Sequence, residues 1–145
     1  PLLTAPEQLT ATSTGGFVTC SATTDAIRTY NSSAVQINTV SNAGATHGYG
    51  CTILSSGGVA GAWEGAGDEV VTYNSALGGA TDIYSDSANM LQTPRQIIQK
   101  SNGNLLITDT VRDWLVEITI TGTFVTTLGG SVLNDPYALI EIPSF

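Results

Sequence analysis

Apolar residues in this chain fall in short runs separated by clusters of Gly, Asn, Asp, Ser and Thr, which is the punctuation of strands and turns. Residues 95–128 show it best. Strands are predicted over 95–99, 105–109, 114–119 and 123–128, with a hairpin turn at Ser101-Asn102-Gly103-Asn104 and another at Gly122. Glycine supplies the positive φ that such turns need. Leu105-Leu106-Ile107 is apolar at consecutive positions, so that strand must be covered on both faces. Leu115-Val116-Glu117-Ile118 admits a charge and belongs nearer an edge. Few stretches hold the Glu, Lys, Leu and Arg content of a stable surface helix, and the class expected is all-β.

The same pattern occurs more than once. Residues 3–40 echo residues 91–128 at a constant offset of 88: Pro6 meets Pro94, Gln8 meets Gln96, Gly15 meets Gly103, Asp25 meets Asp113 and Thr39 meets Thr127. Apolar positions keep step, as in Leu9 with Ile97, Val18 with Leu106, Ile27 with Leu115 and Val40 with Leu128. A middle copy shows in Thr29-Tyr30-Asn31-Ser32 against Thr72-Tyr73-Asn74-Ser75, and in Gly15-Gly16 against Gly57-Gly58. A fourth starts at Pro136 and runs Pro136-Tyr137-Ala138-Leu139-Ile140-Glu141-Ile142. A period of about 42–45 residues is that of β-propeller blades made of four antiparallel strands. The repeats expected are 6–49, 50–93 and 94–135, with the start of a further blade at 136–145, all in one propeller segment spanning 1–145. A β-sandwich or β-helix fits this period less well.

Pro94-x-x-Ile97, Asn102-Gly103-Asn104-Leu105-Leu106-Ile107-Thr108-Asp109, Val116-x-Ile118 and Gly122-x-Phe124-Val125-x-x-Leu128-Gly129 resemble an NHL-type propeller repeat. The first unit matches less well. The second matches poorly, because Gly61-Ala62-Trp63-Glu64-Gly65-Ala66-Gly67 stands where a regular strand and loop belong. About three blades do not close a ring, which takes four to eight. Either a segment of a longer chain or self-association that completes the ring is therefore expected. The resemblance implies that two copies, making six blades, would suffice.

Charge narrows the partners. Twelve acidic residues against four Lys and Arg give a net charge of −8, which repels phosphate backbones and anionic lipid headgroups. Nucleic acid is not an expected partner. No run of 18 or more apolar residues is present, so no membrane-inserted helix is expected. Thr, Ser and Gly richness with little Lys points to an extracellular, cell-surface or virion setting. Cys20 and Cys51 are the only cysteines and are candidates for one disulfide or for two small buried hydrophobes.

No nucleophile elbow, zinc-protease, phosphate-loop or calcium-loop motif is present. The sole histidine, His47, is read as part of a loop entering the second unit, at the channel where propellers take ligands. Trp63 and Trp114 are read as core packing residues or, alternatively, as sites for stacking on sugars or cations, and Arg95 and Arg112 as surface pairing residues or residues with local ionic roles. Asp109 matches the turn-fixing Asp of the NHL pattern. With Glu64 it suggests a Ca²⁺ ring as in propeller lactonases, although no Asn-rich ligand set accompanies them. Asn31-Ser32-Ser33 is an N-glycosylation acceptor pattern. No catalytic residue, resident metal or cofactor is assigned. The expectation is a non-catalytic structural or binding module making protein or glycan contacts. The alternative is a piece of a propeller enzyme, a calcium-dependent lactonase or lyase-like hydrolase.

Overall fold

Three antiparallel four-stranded sheets carry the chain, each a meander in chain order. The computed structural model describes residues 5–42, 45–65, 68–85, 91–130 and 132–142. The first sheet holds β1 (Pro6–Ala11), β2 (Phe17–Ser21), β3 (Ala26–Tyr30) and β4 (Gln36–Ser41). The second holds β5 (Ala45–Ile53), β6 (Val59–Gly65), β7 (Glu69–Tyr73) and β8 (Thr81–Tyr84). The third holds β9 (Pro94–Gln99), β10 (Leu105–Asp109), β11 (Trp114–Ile118) and β12 (Phe124–Leu128). No helix occurs among the described residues. The sheets are propeller blades, and they do not close a ring.

Turn chemistry sets the strand lengths. In the first hairpin of each blade the amides of Thr12, Leu54 and Lys100 bond the carbonyls of Gly16, Gly58 and Asn104. Gly15, Gly57 and Gly103 take φ of +83°, +85° and +88° there, a region that costs side chains but not glycine. Asp25 and Asp113, which echo each other in sequence, both have positive φ between the second and third strands. Aspartate tolerates that conformation better than most residues. In the third hairpins Asn31 accepts from the amides of Ser33 and Val35, and Asn74 from those of Ala76 and Gly78. These Asx turns offset the positive φ of Ala34 and Leu77.

Alternation along the middle blade divides its side chains between two cores. Val59, Trp63, Val71, Tyr73 and Cys51 pack on Val18, Cys20 and Ile27 of the first blade. Ala60, Ala62 and Val70 pack on Ile97, Leu105, Ile107, Val116 and Ile118 of the third. Glycines at 48 and 61 are what let Trp63 fit. A Cβ on Gly48 would lie 2.5 Å from the indole, and one on Gly61 would lie 2.5 Å from Ile27 Cδ1. Of the run 61–67, read from sequence as departing from a regular strand and loop, residues 61–65 lie in β6, which pairs on both sides with bulges in the facing β5, and residues 66 and 67 lie outside the described residues.

β5 meets β1 and β2 of the first blade, and β9 meets β5 and β6 of the second, so β1, β5 and β9 are the innermost strands and line the axis. Gln8, buried on β1, ties all three together. Its Oε1 accepts from Cys51 N at 3.0 Å and Ile97 N at 3.2 Å, and its Nε2 donates to Ile97 O at 2.9 Å. Counted back seven residues from the hairpin glycines, Gln8, Gly50 and Gln96 are equivalent. Gly50 must lack a side chain, since its Cβ would sit 2.9 Å from Arg95 O and 3.0 Å from Ile97 N. Its absence lets Gln8 reach past β5 to β9.

The segment 136–142 repeats this arrangement. Gln96 Oε1 accepts from Leu139 N, as Gln8 does from Cys51 N. Glu141 accepts from Ser101 N at 2.8 Å, as Gln99 does from Ser55 N at 2.6 Å. Residues 136–142 thus lie along β9 in the place of a fourth innermost strand, without a ladder partner among the described residues. Ile140 and Ile142 are exposed on it.

Gln8→Ala should lower stability by about 2–4 kcal/mol, because three buried backbone groups lose their partner. Gly50→Ala should cost about 1–3 kcal/mol through overpacking. Both are read by urea denaturation. A second outcome concerns pH. Glu117 is buried and accepts from Asn104 Nδ2 at 2.7 Å, Lys100 Nζ at 2.9 Å and Asn102 Nδ2 at 3.4 Å. The Asn104 and Lys100 bonds hold its carboxyl below the usual glutamate range. Its stabilising contribution is complete above the ordinary value of 4.5 and is lost as pH falls through the lowered one. Glu117→Gln should flatten this part of the acid limb of a stability–pH curve.

Candidate functional site

A set of charged and aromatic side chains lies at the end of the sheet stack where β1, β5 and β9 begin. Glu7, Tyr49, Arg95 and Tyr137 each stand one residue before the Gln8, Gly50, Gln96 and Ala138 positions, so they are equivalent places on successive inner strands. Neighbouring members of such a set meet around the axis. The Arg95 guanidinium lies 3.7 Å from the centroid of Tyr49 and 5.6 Å from that of Tyr137. A cation held against ring faces is stabilised by their quadrupoles. Among the described residues no carboxylate lies within ion-pair distance of Arg95, although the chain carries three times as many acids as Lys and Arg.

Tyr49 extends the stack to His47, whose ring lies 5.1 Å away at 16°. His47 Nδ1 is 3.8 Å from Glu64 Oε2, across the β5–β6 ladder in which the two residues pair. Bulges in β5 between Ala45 and His47 and between Gly48 and Gly50 re-aim these side chains. The Tyr49 hydroxyl feels the opposite charges of Arg95 and Glu64. Burial raises its pKa most, Arg95 draws it down, and Glu64 pushes it up. The group is therefore a line of four side chains, His47, Tyr49, Arg95 and Tyr137, with Glu64 beside it.

The residues singled out from sequence divide. His47 and Arg95 come together here, and His47 sits in strand β5 where a loop was expected, because the bulged β5 extends back to Ala45. Trp63 is only 1% exposed and lies in the core between the first two blades. Asp109 is buried, and its carboxylate accepts from the amides of Gln92, Val111 and Arg112, which closes the turn after β10. The Arg112 guanidinium lies 5.3 Å from the Trp114 ring and forms no ion pair with Asp109 or Asp113 among the described residues. Since Pro94 pairs with Asp109, this turn stands at the same end of the blade as Arg95, farther from the axis. Cys20 and Cys51 are buried free thiols, and Asn31 is exposed. No three His, Cys, Asp or Glu side chains converge as a metal site among the described residues. The groove of about 590 Å³ at the opposite, hairpin end, lined by Thr12, Thr14, Tyr30 and Asn31 among others, holds none of this chemistry.

Tyr49, Tyr137 and Gln8 escaped sequence reasoning. Their signal was positional: each occupies a fixed step of the repeat. Arg95→Met removes the cation from the Tyr49 face and leaves the apolar stem. Tyrosinate absorbance during alkaline titration should show Tyr49 ionising at higher pH in this variant. Glu64→Gln should move it the other way.

No protein-family profile and no curated protein sequence matches the chain. Its backbone is similar to a solved structure of a nidogen/laminin complex, with a TM-score of 0.75 at 16% identity, covering 90% of this chain and 50% of that one. It is also similar to a catalytically inactive virginiamycin B lyase from Staphylococcus aureus with quinupristin, with a TM-score of 0.68 at 15% identity over 89% and 43%. A protein of unknown function from Bacteroides caccae gives 0.66 at 17% identity over 87% and 46%. The chain spans half or less of the length of these structures. At such identities the likeness shows the fold alone: this chain is a set of β-propeller blades.

Proposed function

We propose that the chain is a non-catalytic propeller module that binds a protein or glycan partner through the end of the stack where the inner strands begin. The observation that carries this reading is Arg95, sandwiched by Tyr49 and Tyr137 with no carboxylate counter-ion among the described residues. Side chains of this kind dominate binding energy when a partner covers them. Three inner strands and the 136–142 segment position them rigidly, which lowers the entropic cost of association. Likeness to the structure of a nidogen/laminin complex supports protein binding. The acidic, Thr- and Ser-rich surface supports an extracellular, cell-surface or virion setting. Further blades, from a second copy or from elsewhere, would cover the open ends of the stack.

One observation favours a second reading, a piece of a propeller enzyme. His47, Glu64 and Tyr49 form an acid–base set beside a guanidinium, and virginiamycin B lyase is among the similar structures. Under that reading the remaining catalytic groups, and any Ca²⁺, belong to other blades.

Binding to panels of extracellular proteins and immobilised glycans separates the two. Saturable binding by the wild type, weakened at least about tenfold by Arg95→Ala or Tyr137→Ala, is the expected result. Loss of no binding in either variant, together with calcium-dependent turnover of esters or lactones, would overturn it.

A further inference from the structure

Two thiols from adjacent blades meet at the foot of the inner-strand clamp. Cys20 on β2 and Cys51 on β5 are each fully buried within one apolar cluster. Cys20 pairs with Gln8 in the β1–β2 ladder, and the amide of Cys51 bonds the Gln8 side chain at 3.0 Å. Cys20 Sγ lies 2.9 Å from the carbonyl oxygen of Tyr49, two residues before Cys51, and 3.8 Å from that of Gln8. β2 and β5 pack directly on each other, so the carbonyl that Cys20 Sγ approaches belongs to the same stretch of strand as Cys51.

We propose that Cys20 and Cys51 form a disulfide that staples the first blade to the second. Disulfides form where the two side chains already approach, and these belong to strands packed across one interface. The oxidant is a low-molecular-weight disulfide such as oxidised glutathione. One protein thiolate attacks it, forming a mixed disulfide and releasing one glutathione thiolate. The second protein thiolate then displaces the other glutathione, so one S–S bond forms and one breaks. Two electrons pass from the cysteines to the oxidant, and the protons lost by the cysteines end on two glutathione thiols.

Timing follows from burial. Enclosure, with Cys20 nearby, pushes the Cys51 thiol well above its ordinary value, which suppresses the reactive thiolate in the folded chain. The bridge therefore forms while the chain folds and is protected afterwards. It closes a loop of about 30 residues that includes β3, β4 and the start of β5, which restricts the unfolded chain. Its place beside Gln8 means that it reinforces the contact on which the site above the inner strands rests. The proposal does not depend on what that site binds.

The test is refolding of the whole chain from denaturant in a glutathione redox buffer, followed by intact mass and peptide mapping without reduction. A mass lower by about 2 Da, with a Cys20–Cys51 cross-linked peptide and a melting temperature about 5–10 °C above the reduced chain, is expected. The Cys20→Ser/Cys51→Ser chain should melt at the same temperature with and without reductant. Recovery of folded protein with two free thiols, or with glutathione adducts in place of the bridge, would overturn the proposal. So would a bridged chain that melts no higher than its reduced form.

Discussion

The middle blade has no face of its own to give to water. Val59, Trp63, Val71 and Tyr73 point one way and Ala60, Ala62 and Val70 the other, so its sheet is stable only between two neighbours. This constraint is the physical meaning of a propeller repeat: a unit apolar on both sides is completed by copies of itself. The remaining features follow. The second strands β2, β6 and β10 carry the most continuously buried runs, while β4 and β12 at the rim alternate or are exposed.

Close packing of sheets brings backbone to backbone at the axis, where inner-strand amides and carbonyls must find partners. Gln8 meets that need for β5 and β9 together, and Gln96 does so for the 136–142 segment. Glycine at position 50 is the complement, a missing side chain that leaves room for the one from β1. The Tyr49–Arg95–Tyr137 stack follows from the same register. Residues one step before the clamp positions are held at a fixed height around the axis, and their chemistry decides what that end of the stack recognises.

Much of the fold was legible in the residues. The 88-residue echo kept Gly15 with Gly103 and Asp25 with Asp113 because each pair holds the same positive φ in the same hairpin. The four strands expected over 95–128 lie within a residue of β9 to β12. The second blade was hard to read because Gly48, Gly50 and Gly61 resemble loop residues. Their purpose, space for an indole and for a neighbouring backbone, belongs to contacts distant in sequence. The candidate site was half legible. His47 and Arg95 stood out by rarity, whereas Tyr49 and Tyr137 are ordinary residues until the repeat is wound and equivalent steps become neighbours. Trp63 was open between a ligand and a core, since a large aromatic suits both, and it packs in the core.

The central claim is that β1, β5 and β9 are bound to one another through Gln8 while the blades remain face to face. Residue-resolved hydrogen–deuterium exchange under native conditions tests it most directly. The account predicts that the amides of Cys51 and Ile97 exchange together, at rates set by global unfolding, and that both accelerate in Gln8→Ala. Exchange of either amide at the rate of the exposed turn residues Ser33 and Ala76, unchanged by that substitution, would contradict it.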